Sequence, residues 1–174
     1  MRRGREPAIG GHPRLFDFER DLYPTLNCIP MRVRYQLDLI GIKVPLKAWN
    51  ALPLAQRLDL LEHGSVRTEA EREALRGRVA AWLRAVSDVP LQPVILEEPP
   101  PWEEASRICP EVATLAARCR PPLTVAEWAS LDVLERFALT KLARSKHDRG
   151  RVPKALAEFR RGRGSPGKCR GDPS

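Results

Sequence analysis

Apolar residues recur along this chain at helical spacing. Val33, Leu37 and Ile40 fall at steps of four and three between Pro30 and Gly41. That predicts a helix over Met31–Ile40, with Pro30 at the favoured first position and Gly41 as the stop. Leu54, Leu58 and Leu61 share one face of a second helix, which Pro53 opens and which runs to about Glu62. Thr68-x-x-Glu71 reads as a capping box. Behind it Ala74, Leu75, Val79, Trp82, Leu83 and Val86 repeat at steps of one, three and four, the clearest amphipathic pattern in the chain. Residues 88–101 break the rhythm. Pro90, Pro93 and Pro99-Pro100-Pro101 preclude a continuous helix and favour an extended connector. Helical spacing then resumes. Pro110 opens a helix to about Arg118, Thr124-x-x-Glu127 is a second capping box, and Asp132-x-x-Glu135 is a related acidic start before Phe137, Leu139 and Leu142. Pro153 opens a last short helix with Leu156 and Phe159. Hairpin turn signals are absent and period-2 stretches are rare, so the expected class is all-α.

The two sides of the connector are alike. Leu46, Trp49, Leu52, Arg57 and Leu60 recur as Val125, Trp128, Leu131, Arg136 and Leu139 at a constant offset of 79. Upstream, Cys28-Ile29-Pro30 corresponds to Ile108-Cys109-Pro110, with the prolines offset by 80. The expectation is two related short-helix units packed as one helical bundle. Residues 15–87 form the first unit, 88–102 a Pro-rich connector, and 103–159 the second unit. Residues 1–14 and 160–174 are expected to be disordered basic tails.

Charge reinforces that division. The 174 residues carry a formal net charge of +8. Arg2, Arg3, Arg5 and Arg14 against Glu6 make residues 1–14 basic; Arg160, Arg161, Arg163, Lys168 and Arg170 against Asp172 do the same for 160–174. The body between them holds 21 basic and 20 acidic residues and is nearly neutral. A basic tail binds phosphate backbones without specificity, so no specific nucleic-acid partner is expected. No apolar run approaches the roughly 18 residues of a membrane span. The basic Met1–Arg5 is not followed by the apolar stretch of a secretory signal. The expected setting is cytoplasmic, where disulfides are rare.

Candidate chemistry is sparse. Cys28, Cys109, Cys119 and Cys169 form no C-x-x-C pair, and His12, His63 and His147 lie far apart, so no metal site is expected. Cys28 and Cys109 each precede a predicted helix, where a thiol acquires a lowered pKa, or else packs as a small hydrophobe. Asp17, Glu19 and Asp21 read as a solvated acidic face, as do Glu97, Glu98, Glu103 and Glu104 around the prolines. Trp49 and Trp128 are expected in helix–helix contact, and Arg57 and Arg136 against carboxylates that fix helix geometry.

Three strings carry a resemblance: Phe16-Asp17-Phe18-Glu19-Arg20-Asp21, then Leu26-Asn27-Cys28-Ile29-Pro30-Met31-Arg32-Val33-Arg34-Tyr35-Gln36-Leu37-Asp38, then Gly41-Ile42-Lys43. Together they resemble the opening of the nitrate reductase associated protein family. Glu127-Trp128, Arg136-Phe137-Ala138-Leu139-x-Lys141-Leu142, His147 and Ala155-Leu156-x-Glu158-Phe159 resemble its end. Gln36 stands where that family has Lys, Leu22 where it has Phe, and His63-Gly64-Ser65 lacks its usual Cys. The resemblance spans residues 16–159. It implies a cytoplasmic, non-catalytic accessory protein that binds the apo or immature form of assimilatory nitrate reductase. The role implied is in maturation, assembly or cofactor loading, with no resident cofactor. The implied partner-binding region is Cys28, Ile29, Pro30, Met31, Arg32, Val33, Arg34 and Asp38. There the free N–H groups of a Pro-started helix, with Arg32 and Arg34 nearby, suit an acidic segment or a pterin-phosphate-like anion. One alternative is a thiol-dependent carrier of sulfur or molybdenum cofactor working through Cys28. A weaker one is nucleic-acid binding through the tails.

Overall fold

The structure, a computed structural model, describes residues 15–20, 25–88 and 90–163. Residues 1–14, the 164–174 part of the tail expected at 160–174, and Asp21 lie outside the described residues, and His12 and Cys169 with them. The chain divides into two compact units, one ending at Glu104 and the other beginning at Ala105. Both are mostly helical, as the spacing predicts.

The first unit contains α1 (Asp17–Arg20), α2 (Met31–Leu39), β1 (Ile42–Lys43), α3 (Leu46–Ala51), α4 (Leu54–Glu62), α5 (Glu69–Val86) and β2 (Gln92–Pro93). Pro30, Pro45 and Pro53 are extended residues just ahead of α2, α3 and α4. Each therefore occupies the N-cap position, one residue before the expected first helical position. The capping box ahead of α5 forms as predicted: Thr68 Oγ1 accepts from Glu71 N, and Glu71 Oε2 accepts from Thr68 N. The core takes Val33 and Leu37 from α2, Ile40 from its C-cap, Trp49 from α3, Leu60 and Leu61 from α4, and Leu75, Val79 and Leu83 from α5. Each large side chain so buried contributes about 1.5–3 kcal/mol of transfer free energy.

A two-stranded antiparallel ladder departs from the all-helical expectation. Ile42 pairs with Pro93 and Lys43 with Gln92. Gly41, at φ 69°, lies in the left-handed region and turns the chain sharply out of α2 into β1. Strands of two residues leave no periodic trace, which is why the pattern does not show them. The Pro-rich segment folds back on β1 at this point and belongs to the first unit.

The second unit contains α6 (Pro110–Ala116), α7 (Val125–Ser130), α8 (Val133–Arg144), a 3-10 turn (Arg149–Arg151) and α9 (Val152–Arg163). α6 and α9 both pack on α8 and on each other. That enclosure explains why four consecutive α8 residues, Phe137, Ala138, Leu139 and Thr140, have no exposed surface. Asp132 and Glu135 complete the box at the start of α8. α9 continues past Phe159 to Arg163, beyond the expected start of the tail. Arg160 holds that extra turn by a two-pronged ion pair with Glu127 of α7, one arm at 2.9 Å, which raises the guanidinium pKa further.

α3 and α7 are alike locally. Each has six residues, carries a fully buried tryptophan, and ends where Leu52 or Leu131 returns its N–H to that tryptophan's carbonyl.

Candidate functional site

The start of α2 is built from three segments. Leu26 takes a left-handed φ of 53° and has no exposed surface, so the chain turns sharply there before reaching Pro30. That geometry costs a non-glycine residue about 1–2 kcal/mol. The Leu26 carbonyl offsets it by accepting two hydrogen bonds, from Trp49 Nε1 at 2.7 Å and from Arg57 Nη1 at 3.0 Å. The partner of Arg57 is thus a backbone carbonyl, not the expected carboxylate. A mainchain turn with its oxygen buried needs donors more than a carboxylate does. In the second unit Arg136 Nη1 donates to the Leu131 carbonyl, so the matched arginines brace different turns.

The free N–H groups expected at the α2 start are met in part from within. Glu19 of α1, only 1% exposed, accepts from Met31 N at 2.7 Å through Oε1 and from Phe16 N at 3.2 Å through Oε2. The solvated acidic face expected at this position therefore does not include Glu19. Its carboxylate turns inward to complement the positive end of the helix. Asp17, two residues earlier, stays exposed and pairs with Arg20.

The motif residues divide by burial. Ile29, Pro30, Met31, Val33 and Asp38 are buried. Cys28, Arg32 and Arg34 are half-buried, and Arg34 Nε donates to the Ile29 carbonyl at 2.9 Å. Gln36 is also buried, and its amide donates to the His63 carbonyl at 3.1 Å. Sequence reading places these residues together by contiguity. It gives no sign that Glu19 and Leu26 organise them, because both act through contacts with residues a dozen or more positions away.

The cysteines separate likewise. Cys28 is a free, half-buried thiol. Cys109, at the N-cap of α6, is buried, and burial pushes its pKa up, so of the two sequence readings it fits the small packed hydrophobe and not the thiol of lowered pKa. Its Sγ lies 3.9 Å from Thr140 Oγ1, which itself donates to the Arg136 carbonyl, so the thiol keeps its proton as the donor. Among the described residues no group of three or more His, Cys, Asp or Glu side chains is placed to hold a metal.

An open cleft of about 420 Å³ lies where the α4–α5 loop meets α5, lined by His63, Ser65, Val66, Glu71, Leu75 and Arg78 among others. His63, Arg78 and Glu71 are engaged with neighbours. Arg78 donates to His63 Nδ1 at 3.1 Å, pairs with Asp59 at 3.4 Å and lies over the Trp82 ring. Glu71 accepts from Arg67 and Thr68, and those backbone bonds lower its pKa.

A family model described as conserved nitrate reductase-associated protein matches residues 15–159. No curated protein and no solved structure matches the chain. No helix among the described residues is long and apolar enough to cross a membrane.

Proposed function

Because the chain belongs to the conserved nitrate reductase-associated protein family, we propose that it acts as a non-catalytic accessory protein of assimilatory nitrate reductase. It binds the apo or immature enzyme in the cytoplasm and assists maturation, assembly or cofactor loading. The family match over residues 15–159 is the observation that carries this reading. The packing of the motif supports a holding role. Ile29, Pro30, Met31 and Asp38 are built into the protein. They position the half-buried Cys28, Arg32 and Arg34 as the groups a partner can reach.

Capture of nitrate reductase by the tagged chain from nitrate-grown cells, with and without molybdate, tests the reading. The expected result is enrichment of the enzyme when molybdate is withheld. Full nitrate reductase activity in cells lacking this chain overturns it. Cys28→Ser separates holding from thiol chemistry: unchanged support of the reductase is expected, whereas loss of support with the fold intact assigns the work to the thiol.

A further inference from the structure

The segment after β2 is unusual for the face it presents. Ile95 is 92% exposed, against 49% and 50% for Leu46 and Val125, the other exposed large apolar residues among the described residues. Val94 and Leu96 on either side are half-buried, so the chain alternates as a strand does. Val94 N donates to the Gly41 carbonyl at 3.1 Å, continuing the β1–β2 ladder. Val94 therefore directs its backbone groups at the β1 side, and the Pro93 carbonyl and the N–H and carbonyl of Ile95 face outward. Among the described residues no hydrogen bond reaches the Ile95 backbone. An outward N–H and C=O beside an exposed Ile side chain form an open strand edge.

We propose that Pro93–Glu97 is the docking edge for nitrate reductase, receiving an extended segment of the enzyme by strand addition. This rests on the accessory reading above and adds the surface to it. The segment it takes has an apolar residue that covers Ile95 and Lys or Arg beside it. The exposed Glu98 follows directly on the edge and supplies the opposite charge. A second copy of the chain fits less well: Gln92–Glu98 contains no Lys or Arg, so a copy of this edge brings no cation to Glu98. Mainchain pairing gives the affinity and the Ile95 contact the register.

Binding of purified nitrate reductase, in its molybdenum-free form, to the full chain tests this with Ile95→Asp, Ile95→Pro, Glu98→Lys and the control Leu46→Asp. The wild type is expected to bind, Ile95→Asp and Ile95→Pro to bind at least tenfold more weakly, and Leu46→Asp to bind unchanged. Ile95→Pro keeps an apolar side chain but removes the outward N–H, so its loss reports pairing by the backbone. The glutamate reversal is expected to weaken binding most at low salt. Hydrogen exchange on the wild-type chain needs no substitution: the Ile95 amide is expected to slow on complex formation. Wild-type-like binding by both Ile95 variants, or an Ile95 amide that stays unprotected, overturns the docking edge and leaves the accessory reading standing. Self-association of the wild type that Ile95→Asp abolishes overturns it in favour of a second copy. A wild-type chain that does not bind the enzyme overturns both.

Discussion

The carboxylate of Glu19 accepts a hydrogen bond from the backbone N–H of Met31 at 2.7 Å, so a residue twelve positions upstream caps helix α2. The cap is buried, and it ties α1 to the motif that the proposed function depends on. Glu19→Ala is expected to destabilise the chain by about 1–3 kcal/mol, the cost of leaving a buried donor unmet. Glu19→Gln retains an acceptor oxygen and is expected to cost less. Urea unfolding measures both, and an unchanged slope with a lower midpoint marks the loss as one of stability.

Gly41 and Gly77 make opposite predictions. Gly41 has φ 69°, where an L side chain is strained, so Gly41→Ala is expected to cost about 1–2 kcal/mol. Gly77 lies inside α5 with nothing within 4 Å of an added Cβ. Gly77→Ala is expected to stabilise the chain by about 0.5–1 kcal/mol through helix propensity. Thermal melts of the pair read the signs directly.

Acid sensitivity follows from two glutamates. Backbone hydrogen bonds from Thr68 and Arg67 lower the pKa of Glu71. A backbone hydrogen bond and Arg144 lower that of Glu111, which pairs with Arg144 Nε at 3.0 Å. A carboxyl with a lower pKa folded than unfolded stabilises the fold above its unfolded value, and that contribution disappears as pH falls through the folded value. Stability is therefore expected to be level near neutrality and to decline below about pH 4.3, the ordinary glutamate value. Glu71→Gln and Glu111→Gln are expected to flatten that decline, as followed by midpoints of denaturant unfolding across pH.

Thiol labelling separates the cysteines. Cys109 and Cys119 are buried, and burial holds the Cys109 thiol protonated at neutral pH. Iodoacetamide on the folded chain is expected to modify Cys28 well before either, and to reach Cys109 and Cys119 only when denaturant is added. Peptide mapping over a time course gives the order.

Much of the secondary structure was legible because it rests on local rules. Thr68 with Glu71, Asp132 with Glu135, Pro30 and Pro53 just ahead of α2 and α4, and Pro110 at the first residue of α6 mark helix starts within four residues of sequence. Trp49 and Trp128 were legible as core through their shared spacing. Long-range partners were not. Arg57 reaches Leu26 across 31 residues, Glu127 meets Arg160 across 33, and an inward Glu19 looks like an outward one in one dimension. The docking edge was hidden for a different reason. Val94-Ile95-Leu96 follows a proline within a segment read only as a connector, and exposure of its middle residue depends on where β1 lies.

The double bond acceptance at Leu26 also governs how the first unit can come into being. One oxygen gathers residues 26, 49 and 57, so the bend has both of its donors only once residue 57 has been synthesised. A nascent chain halted before Arg57 leaves the ribosome lacks a donor that holds that bend. Two pieces severed between Leu26 and Trp49 each carry half of the knot, and complementation of one by the other would restore it.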